Sequence, residues 1–89
     1  MNALSIQVTY RRGRPFAAYI YLRHRPGQKA LRTEEVGEDL LVDFGEGDQP
    51  LGIEVVNPGA VGIDEVLRVF DELGLGRPDP RDLGPLQAA

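Results

Sequence analysis

The sequence predicts an α+β domain: a five-stranded antiparallel meander sheet with one carboxyl-terminal helix packed on its apolar face. Three features carry this. Apolar and polar residues alternate along the amino-terminal segment, turn-forming residues recur between short apolar runs, and one later segment switches to helical periodicity.

Leu4, Ile6, Val8 and Tyr10 alternate with Ser5, Gln7 and Thr9, the pattern of a half-buried strand. Arg11 to Pro15, with Gly13 inside it, supplies a turn, and Phe16 to Leu22 is a second strand. Arg25-Pro26-Gly27-Gln28 suits a type II turn, since proline presets the second position and glycine accepts positive φ at the third. Ala30 to Val36 is a third strand, Gly37-Glu38 a tight hairpin loop, and Asp39 to Phe44 a fourth strand. After the loop Gly45-Glu46-Gly47-Asp48, Leu51 to Val56 is the fifth. Asn57-Pro58-Gly59 ends the sheet.

Ile63, Val66, Leu67, Phe70 and Leu73 then fall on one helical stripe, with Asp64, Glu65, Arg68, Asp71 and Glu72 on the other side. Gly62 is the expected N-cap, with Glu65 at the third helical position and Val61 placed to staple against Val66. Gly74 is a left-handed terminator with Leu75 behind it. Residues 1–75 form the expected domain, and the Pro- and Gly-rich residues 76–89 a loosely held tail.

Centring each turn pairs Val8 with Ala18, Ile20 with Thr33, Val42 with Thr33, and Val42 with Ile53. One face then gathers Leu4, Ile6, Val8, Phe16, Ile20, Leu22, Leu31, Leu40, Val42, Phe44, Leu51, Ile53 and Val55. The other gathers Ser5, Gln7, Thr9, Tyr19, Tyr21, Arg32, Glu34, Asp43 and Glu54. A helix about 10 Å across covers only part of such a sheet, whose five strands span about 19–24 Å. The uncovered remainder calls for another surface, and a homodimer is the expected one.

Eighty-nine residues fit one domain, and a chain this short has thin stability without disulfides, metals or self-association. There is no cysteine, so neither disulfides nor thiolate sites form, and His24 is the one histidine. The amino terminus does not read as a signal peptide, and no run approaches the roughly 20 apolar residues of a membrane span. A cytoplasmic location is expected. The net charge of −4 disfavours general nucleic-acid affinity, but it is unevenly spread. Arg11, Arg12, Arg14, Arg23, Arg25, Lys29 and Arg32 lie in the first 33 residues, and every acid lies at Glu34 or later.

No residue pattern specifies catalysis, a cofactor or a metal. Glu34, Asp43 and Glu54 are expected on one face, where paired-carboxylate chemistry or a divalent ion is conceivable. The same register sets Arg32 opposite Asp43, which reads as an ordinary ion pair on a solvated face. His24 lies between two arginines beside a turn, with no nucleophile or carboxylate placed with it. Gly45-Glu46-Gly47 lacks the spacing of a calcium loop. The candidate interaction face is therefore Tyr19, Tyr21, Arg32, Glu34, Asp43 and Glu54. The candidate basic patch is Arg11, Arg12, Arg14, Arg23 and Arg25, with Tyr19 and Tyr21 between its two loops as possible stacking surfaces.

Ala17-Ala18-Tyr19-Ile20-Tyr21-Leu22, Thr33-Glu34-Glu35-Val36, Leu41-Val42-Asp43 and Leu51-Gly52-Ile53-Glu54-Val55 follow one another at a set spacing. Over about residues 6–58 the chain resembles the prokaryotic domain-of-unknown-function family 2283, whose pattern runs roughly ALYIxL, TxEV, hVD and GIEIL. It departs from that pattern in the first turn, where arginines replace an acidic segment. The resemblance transfers no catalytic residue. It implies an antitoxin- or immunity-type role, because some relatives are encoded beside small toxin-like proteins. Together the readings give a non-enzymatic, dimeric domain that binds a small cognate protein, with nucleic-acid binding by the basic amino-terminal half as the alternative.

Overall fold

The computed structural model describes residues 5–22 and 28–87. Five strands form one antiparallel sheet: β1 (Ser5–Arg11), β2 (Arg14–Tyr21), β3 (Arg32–Gly37), β4 (Leu40–Phe44) and β5 (Pro50–Val56). Helices α1 (Ile63–Glu72) and α2 (Gly84–Gln87) follow, the second entered through a 3-10 turn at Pro80–Leu83. The α+β class and the antiparallel sheet are as the sequence predicts. The expected type II turn at 25–28 and the His24 loop lie outside the described residues, apart from Gln28.

The strand order is β1-β2-β5-β4-β3. Two expected registers hold, since Val8 faces Ala18 and Val42 faces Ile53. Two do not. Ile20 faces Ile53 where Thr33 was expected, because β5 takes the place beside β2. The burial of the two candidates explains the exchange. β5 buries Leu51, Gly52, Ile53 and Val55, whereas Arg32, Thr33, Glu34 and Glu35 of β3 are all exposed. A strand this charged is stable at an edge, where its side chains keep their water.

The second difference is one of parity. The β3–β4 loop is Glu38-Asp39, with Asp39 at φ 61°, and Val36 is the extra residue of a β-bulge. Thr33 therefore faces Asp43, and Glu34 faces Val42. Relative to the expected register every side chain of β3 changes face: Arg32 and Glu34 lie on the helix side, and Leu31 is 70% exposed.

The core lies between the sheet and the helices. Ile20, Leu40, Val42, Ile53 and Val55 meet Val66, Leu67, Val69 and Phe70 of α1. Gly62 caps α1, and its N–H donates to Glu65 Oε1 at 3.3 Å, which is half a capping box because glycine has no side chain to answer. At the other end Gly74 has φ 71°, and the Leu75 N–H reaches the Phe70 carbonyl at 3.0 Å, a Schellman closure.

Within the expected loose tail, residues 76–87 are described and are not loose throughout. Leu83 is fully buried and Leu86 nearly so, both within the same core cluster. α2 lies against β1, over the part of the sheet where Ile6 and Val8 are half-buried. α2 thus supplies part of the cover over the apolar face that one helix alone would not, while Ile6 and Val8 stay half-buried. No helix among the described residues is long and apolar enough to cross a membrane.

Candidate interaction surface

Opposite the helices, the sheet presents a face built from odd-numbered residues of β1, β2 and β3 and their partners on β5 and β4. Tyr19 and Tyr21 stand on it with ring centroids 4.8 Å apart, edge to face. Each phenol is tied down. Tyr19 donates to Asp43 Oδ2 at 2.9 Å, and Tyr21 donates to Gln7 Oε1 at 2.9 Å. The first of these bonds spans from β2 to β4, across β5.

Gly52 makes that reach possible. It lies on β5 between Tyr21 and Asp43, and a methyl group there would overlap the Tyr19 ring. A glycine inside a strand marks a close approach of this kind. Sequence reading passed over it, although its place within an apolar strand was the signal. Thr33 was missed for another reason: the one-residue parity change brings its hydroxyl to Asp43 Oδ1 at 2.6 Å.

Both oxygens of Asp43 thus accept hydrogen bonds, from Tyr19 and Thr33. Its evident work is to fix the aromatic pair. Partial burial comes first in holding the Tyr19 phenol above the usual tyrosine range, followed by its bond to Asp43 and the charges of Asp43 and Glu54. A phenolate would lose its donor role toward Asp43, so the neutral form is favoured.

Of the expected face, Tyr19, Tyr21, Asp43 and Glu54 come together. Arg32 and Glu34 leave it for the helix side, where Arg32 stacks over the Phe44 ring at 4.2 Å and pairs with Glu34 and Asp48. The imagined Arg32–Asp43 pair and the Glu34–Asp43–Glu54 carboxylate set are therefore not formed. Among the described residues no group of three or more His, Cys, Asp or Glu is placed to hold a metal ion. Half-buried Leu41 and Val56 add apolar area to the face.

The basic patch is also divided. Arg11, Arg12 and Arg14 meet at the β1–β2 hairpin tip, while Arg23 and Arg25 lie outside the described residues. Arg12 and Gly13 form the two-residue turn with φ of 54° and 77°, the signs of a type I′ turn. Arg11 faces Arg14 across the ladder and stacks over the Phe16 ring at 4.4 Å. Together with Pro15, these residues line an open depression.

Residues 17–57 match the family described as "Protein of unknown function (DUF2283)". The matched span, just under half of the chain, runs from within β2 to the end of β5. It contains Tyr19, Tyr21, Gly52, Asp43 and Glu54, and it excludes β1, the arginine tip and both helices. It is narrower than the resemblance at residues 6–58 by residues 6–16 and by residue 58. No curated protein and no solved structure matches the chain.

Proposed function

We propose that this domain acts by binding another protein through the outer face of its sheet, as a non-enzymatic interaction module. The observation that carries the reading is the Tyr19–Tyr21 pair, held in place by Asp43 and Gln7 on a rigid sheet. Tyrosines whose rotamers are already fixed lose little entropy on contact, which favours them as anchors in protein interfaces. Leu41 and Val56 supply apolar surroundings, and Glu54 supplies a charge that selects among partners. An antitoxin-like role, neutralising a small cognate protein, is the finer form of this proposal and draws on the resemblance alone.

Affinity purification of the tagged chain from its native host tests it. A second protein retained at stoichiometric level by the parent, and lost from Tyr21→Ser and Glu54→Lys variants that keep the parent's circular dichroism, is the expected result. Recovery of the chain with only itself would refute the reading.

A further inference from the structure

β1 ends the sheet, and among the described residues no strand pairs with its outer side. Such an edge turns alternate backbone N–H and C=O groups outward, ready to pair with another chain. From Ser5 to Tyr10 the strand has no charge and no proline. It then runs into the tip, where Arg11, Arg12 and Arg14 have no ion-pair partner among the described residues. Two features of that tip work against stability: like charges face one another at Arg11 and Arg14, and a non-glycine residue, Arg12, has positive φ. Among the described residues Arg11 is used within the fold only as a stack on the Phe16 ring, so most of the charge of this tip stays open to an anionic ligand.

We propose that the outer edge of β1 receives an extended peptide segment of a partner protein as a sixth, antiparallel strand. Acidic residues at that segment's amino-terminal end then meet Arg11, Arg12 and Arg14. The inference rests on the protein-binding reading above and adds its mode and the partner's chemistry. Backbone pairing supplies affinity in strand addition, and charges at the end fix direction and register. A second copy pairing through its own β1 does not meet this need, because residues 1–33 contain no acid. A nucleic acid would neutralise the tip but leave the uncharged backbone edge unused, and the chain's net charge of −4 opposes a long phosphate chain.

Fluorescence anisotropy on the full chain tests the proposal with synthetic peptides of about ten residues, matched to a strand. The probe alternates valine and threonine and begins with aspartates. Saturable binding is expected, weakened at least about tenfold when lysines replace the aspartates, and abolished by N-methylation of alternate backbone amides. Arg11→Glu/Arg14→Glu should reverse the preference toward the lysine peptide. Absence of binding by the aspartate peptide, or equal binding by its N-methylated form, overturns the proposal. So does tighter binding of a single-stranded oligonucleotide, or displacement of the peptide by self-association of the chain in light scattering. The Tyr21 and Glu54 variants separate the two claims: failure of the peptides with retention of the outer-face partner removes only the edge.

Discussion

Strand β1 bounds the sheet on one side and β3 on the other, and the two differ in charge, in regularity and in what covers them. β3 carries Arg32, Glu34 and Glu35, an ion-pair set reaching Asp48, and a bulge at Val36. These are the devices by which edge strands deter unwanted pairing. β1 has a bulge opposite it, near Phe16 on β2, but no charge before Arg11. Cover differs as well. Arg68 of α1 reaches the neighbourhood of Gly37 at the end of β3, whereas α2 lies against β1. One small sheet thus has a guarded border and an open one, which shows that guarding is not a general requirement of this fold.

The comparison breaks most readily at the cover over β1. Leu86→Ala on α2 opens a nearly fully buried site, and urea denaturation should show a loss of about 2–5 kcal/mol. A loss under about 0.5 kcal/mol, as for an ordinary surface change, would show that β1 needs no roof. Gly52→Ala acts at the centre of the sheet, where the new methyl displaces Tyr19. About 1–3 kcal/mol of destabilisation is expected, together with loss of the near-ultraviolet dichroism of the tyrosine pair.

Edge charge gives smaller effects on stability and clearer effects on association. Thr9→Glu on β1 should change stability by less than about 0.5 kcal/mol, yet weaken binding of the aspartate peptide by like-charge repulsion. Arg32→Thr/Glu34→Thr on β3 should instead raise self-association measured by light scattering, because it removes that border's guard. If both borders respond alike, they do not differ in guarding.

The smallest effect is alkaline. The Tyr19 phenol is raised above its ordinary value of 10.0, so the folded state holds that proton more tightly than the unfolded chain. Its contribution is fully present below pH 10 and declines as pH rises through and beyond that value. Absorbance titration at the phenolate band should show one tyrosine ionising late in the parent and less late in Asp43→Asn, which removes the charge and alters the bond but leaves the burial. An Asp43→Asn profile identical to the parent's would contradict the bond to Asp43.

Local order was legible in the residues. The β1–β2 hairpin and the Val42–Ile53 register followed from alternation and turn chemistry, and the helix limits from Gly62, Glu65 and Gly74. What escaped was non-local or compensated. Whether β3 or β5 lies beside β2 depends on competition between two distant segments, decided by how much charge each would have to bury. A single bulged residue, Val36, exchanged the faces of Arg32, Thr33 and Glu34, and no turn residue announces it. Leu83 and Leu86 are three apart, as on a helix, but a proline- and glycine-rich setting concealed their core role. Consequently four of the six residues expected on the outer face lie on it, because β2, β4 and β5 kept parity, while Arg32 and Glu34 were misplaced together.

The contact of α2 with β1 also bears on how the molecule comes into being. As the chain leaves a ribosome, β1 emerges early and its cover only after all five strands and α1. Until then Ile6 and Val8 face water, so a nascent domain passes through a stage with a finished sheet and a bare flank. Chaperone capture, or premature strand exchange between neighbouring nascent chains, is most probable in that interval.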